Sequence, residues 1–343
     1  MRNPIENSMN SIKEALFLGC AYLLLPISQS ALPAIAQTPS IVQPSPSPES
    51  VTPDTPESVT PSIVTPTIPR LEILSTGTGE KTQLRFTPIV NSRQTSTLTL
   101  KLDVKEGMSI ALPTTKLTME VVVTQVDANG DIHFDFTYKN VDLLAEPGAP
   151  REAINALRPS LTPLIGLSGS IVVNSRGQTK STRINLPPEL DPTAKQIFEQ
   201  LSTSLDQFYA PLPEEAVGTG ARWRVSQELN VNGIQLTQSA IYELVSNQDN
   251  VLELMVLVEQ EALPQTVTLP NIPALPVGAT LELRSLSSQG EGEMTFGLGQ
   301  ILPRRSILSS RSSVVLNFKP AENEQGISVN QDIAVEVILN SQP

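Results

Sequence analysis

Residues 117–138 read LTMEVVVTQVDANGDIHFDFTY, and apolar side chains occupy every second position on both sides of the central Asp-Ala-Asn-Gly. Alternation with a period of two is the pattern of a β-strand that has one buried and one solvated face. Asparagine and glycine favour a tight turn because both tolerate positive φ. We therefore predict a β-hairpin whose buried face carries Phe134, Phe136 and Tyr138, with His133 on the opposite face.

The same alternation returns in the second half of the chain. One predicted hairpin starts at Trp223 and turns at Asn232-Gly233, and the next continues through residues 240–258 with Leu254 on its apolar face. Asn-Gly between two apolar runs is the strongest short hairpin signal. Further strands are predicted at residues 95–104, 170–173, 293–296, 312–318 and 333–339.

Two stretches have helical features. Residues 191–210 open with Asp-Pro, an N-cap residue followed by proline at the first helical position, and their apolar residues up to Phe208 have helical spacing. This pattern predicts a long helix over 191–210. A shorter helix over 150–158 is predicted to end before Pro159.

The pattern as a whole predicts a mainly β, β-rich α+β fold. We expect one or two strongly curved, half-barrel-like antiparallel sheets, with the helix 191–210 packed on the apolar face. A long hairpin, a proline-containing crossover and a glycine-led strand recur after about 120 residues, which suggests duplication. The repeats would span about 80–190 and 218–343, although generic hairpins can recur in this way by chance.

Residues 1–36 have the features of a secretory signal peptide. A positively charged start precedes the apolar run at 15–25, and Ala-Ile-Ala places small residues where signal peptidase cuts. We predict cleavage between Ala36 and Gln37, a periplasmic or secreted location, and no transmembrane span after processing. Anchoring as a lipoprotein through Cys20 is a weaker alternative because the residues before it fit that signal poorly.

Residues 37–70 are dominated by proline, serine, threonine and valine. This composition predicts a disordered, extended linker that leads into a β-rich domain at 71–343. A docking motif for a proline-binding partner is the alternative for this stretch. The net charge of −12 argues against binding to nucleic acid, because an acidic surface repels phosphate. We expect the protein to be a monomer.

The sequence contains no complete catalytic or metal-binding signature. His133 is the only histidine, and Glu291 and Glu293 could form an acid–base pair, although charges that protect an exposed sheet edge explain them better. Residues 127–135 carry oxygen ligands at alternate positions, but they lack the glycine and glutamate positions of a calcium loop. We predict a protein that is not an enzyme, with no catalytic residue, no metal and no cofactor.

The informative residues are apolar. They either pack as an ordinary core or line a cavity for a lipid-like ligand, with the apolar segment 269–276 as a lid. The predicted function is therefore to bind or carry an apolar or lipid-like ligand. The alternative is a structural or adaptor protein of the cell envelope that binds another protein. The candidate ligand-binding residues are Phe134, Phe136, Tyr138, Phe208, Trp223 and Leu254.

Several of these features together resemble an uncharacterised family of exported bacterial envelope proteins. They are the strand at 98–102, the hairpin at 114–142, the helix 191–210 and the Val-Gly-x-x-x-x-Trp step that ends at Trp223. The resemblance covers about residues 80–340 and implies no particular activity. More distantly, the architecture is similar to the lipoprotein-carrier half-barrels of the bacterial envelope, which implies a carrier function by fold analogy only.

Overall fold

A computed structural model describes residues 62–64, 69–106, 108–145, 151–185, 210–231, 234–267, 280–319 and 326–343. Several predicted features lie outside the described residues. They are the signal peptide 1–36 with its cleavage site, most of the linker 37–70, the helix 191–210 apart from Ala210, the side chain of Phe208, the Asn232-Gly233 turn and the lid 269–276.

The described residues form fifteen β-strands and one α-helix. In chain order these elements are β1 (Ser62–Val64), β2 (Arg70–Thr82), β3 (Arg93–Glu106), β4 (Met108–Ala111), β5 (Thr114–Val126), β6 (Ile132–Leu144), α1 (Arg151–Leu161), β7 (Ser168–Val173), β8 (Thr179–Asn185), β9 (Val217–Val231), β10 (Ile234–Gln248), β11 (Val251–Ala262), β12 (Gln265–Val267), β13 (Thr280–Gly297), β14 (Arg305–Lys319) and β15 (Ile327–Gln342).

All of these strands belong to one antiparallel sheet. Thirteen of them follow the hydrogen-bonded order β1-β8-β7-β6-β5-β3-β15-β14-β13-β11-β10-β9-β2, while β4 pairs with β3 and β12 pairs with β13. The prediction of a mainly β, antiparallel fold is confirmed. The two halves of the chain share this single sheet, and its hydrogen-bonded order is not closed into a ring.

The hairpin of β5 and β6 has the predicted parity. Val123 pairs with Phe134 and Val121 pairs with Phe136, and all four side chains are buried. The intervening His133 is half-buried on the other face. We call the face that carries the buried alternate residues of every strand the inward face, and the other the outward face.

The strand order contains the same five-strand arrangement twice. One run is β8-β7-β6-β5-β3 and the other is β14-β13-β11-β10-β9, each an antiparallel succession in reverse chain order. β15 joins the two runs, since it pairs with β3 on one side and β14 on the other. β1 and β2 flank the opposite ends, where β1 pairs with β8 and β2 pairs with β9. This order is what two copies of one meander would produce.

The two edge strands are consecutive in the chain. Only residues 65–69 separate them, so Val64 and Arg70 can be at most about 22 Å apart. A flat sheet of thirteen strands spaced about 4.8 Å apart would place its edges about 58 Å from each other. The sheet must therefore curl until its two edges approach.

Backbone hydrogen bonds also link the regions next to these edges. Between β2 and β3, the Phe86 amide donates to the Ser175 carbonyl at 2.7 Å. Just before β9, the Leu212 amide donates to the Arg176 carbonyl at 2.9 Å. Ser175 and Arg176 form part of the turn between β7 and β8, so this turn contacts the chain segments that follow β2 and precede β9 at the other end of the sheet.

The helix is short and corrects one expectation. α1 does not end before Pro159 but continues to Leu161, because the hydroxyl of Thr162 donates to the Arg158 carbonyl at 2.8 Å and the buried Leu161 and Leu164 anchor the turn that follows. A long helix packed on the apolar face is not among the described elements.

Candidate functional site

The inward face is the first candidate surface for binding. Nearly all its buried residues belong to a single hydrophobic cluster that includes strands from both halves. The buried polar residues on its strands are all uncharged, and they are Gln94, Ser96, Thr114, Thr182, Gln238, Gln260, Ser288, Ser306, Ser310, Ser312 and Gln331. Asp131 is the one buried acidic or basic residue in the described part. It lies in a turn and accepts a bond from Lys180 at 2.7 Å.

The predicted aromatic residues of β6 are packed within this face. Phe134, Phe136 and Tyr138 are each less than 5 % exposed, and the rings of Phe136 and Tyr138 meet edge to face with centroids 5.9 Å apart. Gly169 on β7 lies beneath Phe136, and a Cβ there would come within 2.6 Å of the ring. The glycine at the start of the strand therefore makes room for the phenylalanine.

Trp223 and Leu254 lie on the same face but in the other five-strand run. Trp223 is fully buried, stacks on Tyr242 with ring centroids 5.7 Å apart, and donates its indole N–H to the Pro211 carbonyl at 2.8 Å. Leu254 is buried and pairs with Leu244. Tyr242 is not among the predicted site residues, although the turn predicted at Asn232-Gly233 would place residue 242 directly opposite residue 223.

The middle of the second run has a wall of small side chains. A row of directly paired inward residues crosses β10, β11, β13 and β14 through Ala240, Val258, Gly290 and Ser310. β6 and β11 are the third strands of their runs, and Val258 of β11 corresponds to Tyr138 of β6. At this row the second run thus has residues that occupy little volume, whereas the first run has the ring of Tyr138.

Burial raises the pKa of both tyrosine hydroxyls on this face. The pKa of Tyr242 rises to about 12 and that of Tyr138 also rises, in each case because burial disfavours the charged phenolate. Both side chains are therefore neutral at physiological pH, as are the other polar groups on the strands of this face.

A groove of about 1480 Å³ runs along β3, β15, β14, β13 and β11. Its lining includes the exposed Glu259, Glu291 and Arg311, and the ion pair between Lys101 and Glu336, which is 2.6 Å long. None of the predicted ligand-binding residues that the structure describes lines this groove. The groove is therefore separate from those residues, but its lining also includes inward residues of β11, β13 and β14, such as Ser310.

The turn that resembled part of a calcium loop is held by its own hydrogen bonds. Asp127 contacts His133 Nε2 at 2.9 Å and accepts from Gln125, and the hydrogen bond with His133 is the main cause of the lowered pKa of Asp127. Asn129 donates to Asp131 at 2.9 Å. The described ranges hold no cluster of three histidine, cysteine or acidic residues arranged to bind a metal.

Glu291 and Glu293 do not protect a sheet edge. Both lie on the outward face of β13, where Glu291 pairs with Leu257 and Ser309, and Glu293 pairs with Met255 and Ile307. β13 is thus a central strand with partners on both sides. Successive residues of a strand point to opposite faces of the sheet, so the glutamates of this stretch lie on the outward face and the intervening glycines on the inward face.

Comparison with known proteins gives no family. No protein-family model and no curated protein matches the chain. The structure has weak similarity to OmpT, an outer membrane protein of Vibrio cholerae, with a TM-score of 0.17 and 3% identity over 74% of this chain and 100% of that one. For Pseudomonas aeruginosa OccK11 (OpdR), the TM-score is 0.17, with 7% identity over 77% and 100% of the two chains. Scores this low carry no argument about function. Within the described residues, no helix has the length and apolar character needed to cross a membrane.

Proposed function

We propose that this chain is an exported, non-enzymatic envelope protein that binds or carries an apolar, lipid-like ligand on the inward face of its sheet. The observation that carries the proposal is the absence of charge among the buried strand residues of that face in the described part. A buried charge without a partner is costly, so a neutral face suits acyl chains and rejects ions.

The curl of the sheet supports this proposal. A lipid chain is held most strongly when most of its surface leaves water, at about 25 cal/mol per Å² of apolar area. A sheet whose edges approach each other can surround such a chain. The small residues around Ala240 and Gly290 form a part of the wall with little side-chain volume.

Native mass spectrometry of the protein purified from the extracytoplasmic fraction tests the proposal. We expect an adduct of lipid mass that organic extraction removes and added lipid restores. Replacing Ala240 with phenylalanine should lower the bound fraction, because Ala240 is buried between Val225 and Val258. The matched control is Ser239→Phe on the opposite face. Protein that is free of lipid and takes up none on incubation would contradict the proposal.

An adaptor function is the second candidate, and an apolar pair on the outward face favours it. Met255 and Leu257 of β11 are 51% and 47% exposed, and both project from the face that carries Glu291 and Glu293. A protein partner could cover them. Substituting both with serine would abolish partner capture in cells if this function holds, and would leave lipid binding unchanged.

A further inference from the structure

One buried glutamine on the inward face lacks hydrogen-bond partners. Gln331 on β15 is 1% exposed, and both its amide nitrogen and its amide oxygen are buried without a partner in the described structure. Other glutamines of this face are paired. Gln94 bonds the backbone of Ile301 and Leu302, and Gln260 donates to Gln238 at 2.6 Å. Gln331 is therefore an exception that calls for an explanation.

Gln331 lies beside a row of polar residues that crosses the sheet. Directly paired inward positions on β10, β11, β13 and β14 are Gln238, Gln260, Ser288 and Ser312, which we call the polar row. Ser312 donates to Ser288 at 2.9 Å. Gln331 pairs with Val314, which places it diagonally next to Ser312. The next inward serine of β14, Ser310, also has a buried hydroxyl without a partner.

These groups determine what kind of ligand fits. A glutamine amide and a serine hydroxyl can each donate and accept hydrogen bonds, as can a hydroxyl on a ligand. A carboxylate or phosphate would be buried here without a counter-ion, since the buried strand residues of this face are uncharged in the described part. Neutral hydroxyl groups fit best, because they can donate and accept hydrogen bonds and need no counter-ion.

We propose that Gln331 and Ser310, beside the polar row, bind the uncharged, hydroxyl-bearing headgroup of the ligand, such as a glyceryl or glycosyl group. This inference rests on the proposed function, because it assigns the polar end of the lipid-like ligand. The acyl chain then extends along the apolar part of the same face. The protein selects neutral amphiphiles over fatty acids and anionic phospholipids.

Isothermal titration of the delipidated protein with three probes of equal acyl length tests this selection. The probes are a monoacylglycerol, the fatty-acid methyl ester and the ionised fatty acid. We expect the monoacylglycerol to bind about tenfold more tightly than the methyl ester, as one or two hydrogen bonds would provide, and the ionised acid to bind most weakly. A further titration with monoglucosyl diacylglycerol shows whether the site prefers a glycosyl or a glyceryl headgroup.

The variant Gln331→Leu should lose this tenfold preference while binding the methyl ester as before. Ser310→Ala should lose part of it. The control is Asn330→Leu, which changes the exposed neighbour on the outward face and should keep the full preference. Since Gln331→Leu removes an unpaired amide, it should fold at least as well as the parent protein.

The outcomes separate the two proposals. If no probe binds the parent protein, the proposed lipid-binding function is wrong. If the probes bind but monoacylglycerol and methyl ester bind equally, or if Gln331→Leu keeps the preference, the headgroup assignment is wrong and the lipid-binding function stands.

Discussion

Two buried glutamines on the inward face show how the same residue type can have opposite effects on stability. The Gln94 side chain accepts from the amides of Ile301 and Leu302 and donates to the Leu302 carbonyl, so it fixes the loop between β13 and β14. Gln331 has no such bonds in the described structure. Their burial is similar, and only their hydrogen bonding differs.

Substituting each glutamine with leucine should therefore change the free energy of unfolding in different directions. Gln94→Leu leaves buried backbone groups unpaired and should cost about 3 kcal/mol. Gln331→Leu should be neutral or should stabilise the ligand-free protein by about 1 kcal/mol. Urea denaturation measures both. Equal destabilisation by the two substitutions would show that Gln331 has a structural partner.

Glu282 should make stability depend on pH in the acidic range. Its pKa lies below the ordinary value of 4.5, mainly because Lys319 bonds it at 2.7 Å and secondly because Asn317 donates to it at 3.2 Å. A lowered folded pKa means that its stabilising effect is present above pH 4.5 and is lost as pH falls through the lowered value. The Tm difference between the parent and Glu282→Gln should therefore shrink on acidification. A difference that is constant with pH would contradict this.

At the scale of elements, turns of known length fix local pairing and so could be predicted. The pairing of Trp223 with Tyr242 follows from the alternation and from the turn between the strands. The pairing of Val123 with Phe134 also requires a register shift between Val123 and Gln125, which the turn does not specify. The placement of β15 between β3 and β14 could not be predicted. Its pairing of Leu339 with Leu98 joins residues far apart in sequence, and no turn specifies it.

The same limit explains the errors at Glu291 and Pro159. A strand with charges on one face has the same sequence pattern at a sheet edge and in the centre of a sheet. Only pairing with strands far away in the sequence decides which of the two positions it takes. The extension of α1 past Pro159 depends on the Thr162 hydroxyl and on tertiary burial of Leu164.

Of the candidate site, the aromatic residues could be predicted from parity. The unpaired state of Gln331 could not, since it depends on neighbours from another strand.

The stacked pair formed across the β9–β10 hairpin leads to a prediction for the alkaline range. Burial raises the pKa of Tyr242 from 10.0 to about 12, so folding stability should be complete below pH 10 and should decline as pH rises from 10 towards 12. Tyr242→Phe keeps the ring next to Trp223 but removes the ionisable hydroxyl. We expect the variant to lose less stability than the parent over this range in denaturant titrations. Tyrosinate absorbance that develops with a midpoint near 10 for Tyr242 would contradict its burial.

At the scale of the whole molecule, two five-strand runs form one curled sheet whose buried strand residues are uncharged in the described part. The covalent link between the edge strands requires the curl, and the bonds from Phe86 and Leu212 to the β7–β8 turn bring the two ends together. β15 is the strand at which the two runs meet. The proposed ligand would contact both runs along this strand, with its headgroup at Gln331.

Cysteine accessibility along β15 tests this account most directly. The chain has one cysteine, Cys20, so single cysteines at positions 331–338 in a Cys20→Ser background report local exposure cleanly. The account predicts slow thiol alkylation at residues 331, 333, 335 and 337, and fast alkylation at residues 332, 334, 336 and 338. Uniform reactivity along the strand, or protection of the even-numbered positions instead, would contradict the enclosed inward face.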